Sequence, residues 1–150
     1  MPGRVALVVA ALVACLVLAA CGSGVAVPTP LTAEYPPAAS DVKALPISLI
    51  DQTGLVTALA VAPDAAAGQG VEAVAGSETS LRVHWDGDPC DDHVTMVLVD
   101  IGATYQLTIH DHPQFAAGLT CPDAVAHRIV DIAFRRHLDP IDLSLSIQFP

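Results

Sequence analysis

The chain has 150 residues, with 16 acidic side chains, six basic ones and a formal net charge of −10. That balance argues against binding to nucleic acid or to an anionic lipid surface by charge alone, because either would require a basic face. The mean hydropathy of +0.55 is unevenly distributed, since much of it belongs to the first 20 residues.

The N-terminus begins Met1-Pro2-Gly3-Arg4, continues as an unbroken apolar run from Val5 to Val17, and reaches Leu18-Ala19-Ala20-Cys21 followed by Gly22-Ser23-Gly24. One positive charge, an apolar stretch and small residues ahead of a cysteine resemble a bacterial lipoprotein signal peptide. The resemblance implies cleavage after residue 20 and a diacylglyceryl anchor on Cys21. A retained membrane helix is the rival reading. The uncharged run from Val5 to Cys21 is 17 residues, the bottom of the range of roughly 17–25 that spans a bilayer, and no Lys or Arg follows it. A plain secretory signal is the other alternative. With Arg4 removed, five basic residues face 16 acidic ones, a net charge of −11. Attachment to the cytoplasmic membrane, on its extracytoplasmic face, would then come from the lipid, with two or more acyl chains needed for stable anchoring.

Residues 21–42 read as the lipidated cysteine and a flexible tether. Pro28, Pro30, Pro36 and Pro37 are separated by small residues without apolar periodicity. A polyproline-like stretch of about 20 residues would reach on the order of 60 Å. A single β-domain is expected over residues 43–150, a length that buries a core without metal.

Within that domain, period-2 alternation dominates. Ile47–Ile50 and Leu55–Val61 flank Asp51-Gln52-Thr53-Gly54, which reads as a hairpin turn, and Val71–Ala75 is a weaker strand. Leu81, Val83 and Trp85 alternate with Arg82, His84 and Asp86, which makes Trp85 a core residue. Val94–Val99 is apolar on both faces and reads as a central strand. Tyr105, Leu107 and Ile109 alternate with Gln106, Thr108 and His110, Ile129–Phe134 is a further strand, and Leu143, Leu145, Ile147 and Phe149 close the chain. A few helical residues are placed at Pro122–His127. Short strands at this spacing, separated by turn signals, predict an all-β fold: a small antiparallel β-sandwich or a partly open barrel.

With Cys15 removed and Cys21 lipidated, Cys90 and Cys121 are left, and two cysteines in an oxidising compartment pair most simply with each other. Neither sits in a CxxC pair, as a two-thiolate metal site would ask. The sequence offers no GxSxG elbow and no phosphate-binding glycine loop. Asp86, Asp88, Asp91 and Asp92 read as turn formers, with a paired-carboxylate or calcium-binding role as the alternative. Among the histidines, His110 and His112 lie two apart and project to one face opposite Ile109, and His84 lies on the outward face of its own strand. Such a set could bind Zn²⁺ or Cu²⁺ with a third ligand from a neighbour. The leading expectation is a non-catalytic binding or interaction domain without a cofactor, attached to the membrane by lipid and engaging an envelope partner. A Zn/Cu-binding lipoprotein is the alternative, and a small hydrolase the third.

Two longer segments carry a family resemblance. Ile50-Asp51-Gln52-Thr53-Gly54-Leu55-Val56, and Leu81 through Trp85-Asp86-Gly87-Asp88-Pro89-Cys90-Asp91, are similar to segments of small actinobacterial lipoproteins. With Cys121 and the closing strands, the likeness covers most of residues 45–140. It implies a lipobox, a tether and a disulfide-bridged β-domain, and no catalytic residues. Where two glycines would be expected in the turn, this chain has Gly87-Asp88.

Overall fold

A computed structural model describes residues 28–35, 44–62, 68–113 and 125–148. The strands are β1 (Leu31–Tyr35), β2 (Leu45–Asp51), β3 (Val56–Val61), β4 (Gly70–Ala73), β5 (Ser80–Gly87), β6 (Asp91–Asp100), β7 (Tyr105–Pro113), β8 (Ala126–Phe134) and β9 (Leu143–Gln148), with a 3-10 turn at Pro140–Asp142. They form two open sheets: sheet A in the order β1-β2-β6-β7-β9, and sheet B in the order β3-β8-β5-β4. The β-sandwich expected from the alternation is therefore present, and neither sheet closes into a barrel.

The inward rows of β5 and β7 are the predicted ones. Leu81, Val83 and Trp85 of β5 pack with Val130, Ile132 and Phe134 of β8 against Ile47, Leu49, Val94, Met96, Leu98, Leu107 and Ile109 of sheet A. Trp85 is fully buried. β6, apolar on both faces in sequence, is the middle strand of sheet A.

Several expectations are corrected. Leu31–Tyr35, read as tether, forms β1 and pairs antiparallel with β2, so ordered structure begins well before Lys43. The reason is tertiary: the inward Leu31 and Tyr35 pack on the core, and the Tyr35 hydroxyl accepts a hydrogen bond from the Ile129 amide of sheet B at 3.1 Å. The turn at 51–54 is not a hairpin, because β2 belongs to sheet A and β3 to sheet B. Its crossover is held by the Asp51 carboxylate, which accepts from the amides of Thr53, Gly54 and Val56 and from the Thr53 hydroxyl. Gly54 takes φ +70° there, a conformation that disfavours side chains. Sheet A is mixed: β2 runs parallel to β6, and β7 parallel to β9. Of the helical residues placed at 122–127, Ala126 and His127 open β8, and 122–124 lie outside the described residues.

Candidate functional site

Alternation continued past the apolar rows brings charge into the interior. In β7 the row Leu107, Ile109 ends on Asp111, and in β8 the row Phe134, Ile132, Val130 ends on Arg128. Arg128 lies opposite Trp85 in the β5–β8 register. A third charge arrives by a bulge: the β6–β7 register shifts between Asp91 and His93, so Asp91 pairs with Pro113 and turns inward while His93 pairs with His112 and faces out. Asp111 is 1% exposed, Arg128 5%, and the Asp91 side chain 0%.

Arg128 Nη2 lies 2.8 Å from Asp91 Oδ2, while its N–H donates to the Asp88 carbonyl. The Trp85 indole N–H donates to Asp111 Oδ1 at 3.4 Å. Both Asp91 oxygens, Asp111 Oδ2 and Arg128 Nε are buried without an aligned hydrogen-bond partner. The cluster closes over Gly87. A Cβ at that position would lie 2.7 Å from Arg128 Nε, 3.0 Å from Asp111 Oδ2 and 3.3 Å from Asp91 Oδ2, so only glycine fits beneath the charges. One guanidinium thus faces two interior carboxylates. Burial first, and the neighbouring Asp111 charge second, push the Asp91 carboxyl up to about 7, with Arg128 opposing. Burial also raises Asp111, against the pull of Arg128 and the indole N–H.

Two carboxyls with raised affinity for protons are the material of general acid–base catalysis. Among the described residues both side chains are buried at the inner face of the sandwich. The acidic run read from sequence is dispersed accordingly. Asp86 stands on the outward face of sheet B, accepting from the Gly68 amide at 3.2 Å and paired with His127 Nδ1 at 2.7 Å, and these bonds, His127 first, lower its pKa. Asp88 shapes the turn by accepting from the Cys90 amide at 2.8 Å, and Asp92 lies beside His93.

The histidine candidates divide between the sheets. His110 and His112 share the outward face of sheet A, as the spacing predicts. His84 stands on sheet B, where its Nδ1–H donates to the Gly68 carbonyl at 3.2 Å and its ring lies over Gly70. The partner of His112 is instead His93, stacked on it with centroids 4.1 Å apart and planes 13° apart. In-plane lone pairs on parallel rings do not converge on one ion. Among the described residues, no group of three or more His, Cys, Asp or Glu is arranged to hold a metal. Cys21 and Cys121 lie outside the described residues; Cys90 sits in the turn between β5 and β6.

The outward face of sheet A carries a further feature that was not anticipated. Strand registers align Thr32, Ser48, Thr95, His110 and Gln148 in one row across all its strands. Beside it an open depression of roughly 530 Å³ is lined by Thr32, Glu34, Pro46, Ser48 and His93. It joins β1 and β2 to the remote β6, so only the β1–β2–β6 order could reveal it.

No family model, curated protein or solved structure matches the chain.

Proposed function

We propose that the chain is a lipoprotein, anchored through Cys21 to the extracytoplasmic face of the cell membrane, whose sandwich is a non-catalytic binding module for an envelope partner. The observation that carries the binding reading is the outward face of sheet A, where the Thr32–Gln148 row borders the depression between Glu34 and His93. Hydroxyl, amide and imidazole groups, with the Glu34 carboxyl at the edge, offer donors and acceptors on this face, which suits hydrogen-bonded recognition of a partner. The anchoring reading is supported by the lipobox-like Leu18-Ala19-Ala20-Cys21 after its apolar run. Because β1 begins at Leu31, the link from Cys21 is about ten residues, a reach on the order of 30 Å when extended, which would hold the domain close to the membrane.

A Cys90–Cys121 bridge belongs to this reading. It would tie the β5–β6 turn to the segment between β7 and β8, and closing a loop of about 32 residues stabilises by roughly 3–4 kcal/mol. Thiol titration of the unreduced, unfolded protein checks it: no free thiol from this pair is expected, and two would remove the bridge.

Photo-crosslinking in membranes tests the function. A crosslinker at Ser48 or Thr95 should capture a discrete partner, and one at Arg82 or Asp131 on sheet B should not. Equal capture from both faces, or none from either, would overturn the reading. Cys21→Ala should abolish acyl labelling; retained labelling would overturn the anchor.

A further inference from the structure

The interior charge cluster has a consequence independent of membrane attachment. Two carboxyl groups face Arg128, Asp91 from β6 and Asp111 from β7, while the Asp88 carbonyl of the β5–β6 turn accepts from its guanidinium and the Asp88 charge acts on both carboxyls. The remaining polar group is the Trp85 indole of β5, which serves Asp111, while the His112 ring on the outward side of β7 acts on Asp111 only through space. Asp88 lies in the turn, but Asp91 and Asp111 are enclosed, and one buried guanidinium cannot balance two buried carboxylates. Neither Asp91 oxygen has an aligned side-chain donor, and the backbone hydrogen bond from Asp88 favours its ionised form less than burial disfavours it.

We propose that Asp91 is held as a neutral carboxylic acid in the folded protein, and that loss of its proton to solvent releases the Asp88–Asp91 turn that carries Cys90. The turn is poised for this. Its backbone is fastened by the Asp91 amide donating to the Asp88 carbonyl at 3.2 Å, and Arg128 donates to the same carbonyl. Ionising Asp91 sets a second full negative charge beside Asp111, above a Gly87 that leaves no slack. The unbalanced charge is relieved when Arg128 swings fully onto Asp91, or when the turn lifts and admits water. Either movement gives up the contact from Arg128 to Asp88. The turn is thus a latch closed by a proton, looser in alkaline than in mildly acid surroundings.

The direction in pH follows from linkage. The folded protein holds the Asp91 proton up to about 7, whereas the unfolded chain releases it near 3.8. The contribution to stability is therefore fully present below about 4 and is lost as pH rises to about 7. His137 adds to the same trend: its Nδ1–H donates to the Glu78 carbonyl, Asp139 faces its other nitrogen, and both, the carbonyl first, raise its pKa. Asp86, with its lowered pKa, contributes in the opposite sense and only in more acid solution.

Carboxyl-carbon NMR of the whole chain, labelled at aspartate, tests the proposal. One aspartate signal, absent from Asp91→Asn, should titrate with a midpoint near neutrality. In Asp111→Asn that midpoint should fall, because the like charge is gone, a response that a purely packing role for Asp91 would not give. Hydrogen exchange of the Cys90 and Asp91 amides should rise above neutral pH by more than the ordinary tenfold per unit of base catalysis, and this excess should vanish in Asp91→Asn. All aspartates titrating below about 5 would overturn the proposal, and so would amide exchange that follows base catalysis alone. The wild-type titration decides the first point even if Asp91→Asn fails to fold.

Discussion

The two ends of the sandwich are closed by opposite means. At one end, Val56, Phe134, Leu138 and Leu143 complete an apolar plug, and the crossover above it is organised by Asp51, whose carboxylate accepts four hydrogen bonds. At the other, Asp91, Asp111 and Arg128 occupy the inward positions, and the two oxygens of Asp91 have no aligned side-chain donor. The same residue type thus works as a satisfied turn-former at the solvent edge and as an unsatisfied acid in the interior. Burial and the supply of N–H donors separate the two roles. The comparison teaches that charge at a turn carries little meaning until its donors are counted.

Substitutions can break this contrast, beginning with its largest element. Arg128→Met leaves the interior Asp111 and Asp91 carboxyl groups without their only buried cation among the described residues and should destabilise the fold by about 3–5 kcal/mol at neutral pH, read by urea denaturation. The deficit should shrink in mild acid, where the carboxyls take up protons; a loss independent of pH would show that Arg128 acts by packing alone. Gly87→Ala adds a methyl within 3 Å of the Arg128 guanidinium and should cost about 1–3 kcal/mol. Its effect should be mostly absorbed in an Arg128→Met background, because the close neighbour is then gone, and a double-mutant cycle measures that coupling. At the other end, Asp51→Ala removes the acceptor of three amides and one hydroxyl and should cost about 1–2 kcal/mol. Smallest is Arg82→Ala. Its two-pronged contact with Asp131 at 2.8 and 2.9 Å lies on the outward face of sheet B, and its removal should cost less than about 1 kcal/mol and less still in high salt.

The cluster was partly legible. Carrying the parity of Leu107 and Ile109 forward places Asp111 inward, and carrying that of Val130 and Ile132 back places Arg128 inward. An aspartate and an arginine extending two apolar rows are the signal that the sequence carries. Asp91 was not legible. Plain alternation from Val94 and Met96 would have turned Asp92 inward, and a bulge reverses the parity. For the histidines, His110 and His112 were rightly placed on one face, but the assignment of His84 to the other sheet depends on strand order, which alternation does not encode.

The sequence by itself determined the sandwich class, the inward rows through Trp85, Ile109 and Leu143, and β6 as the central strand, because a pleated chain must send alternate side chains to opposite faces and only the apolar ones can leave water. Tertiary structure alone decided the rest. It recruited β1 from a proline-dotted segment through Tyr35 and turned an apparent hairpin at Asp51 into a crossing between sheets. It set β2 parallel to β6, and it gathered Asp91, Asp111 and Arg128 at one point from three strands. Each of these depends on pairing between residues far apart in the chain, where the deciding energy is packing and charge compensation across the core rather than any local preference.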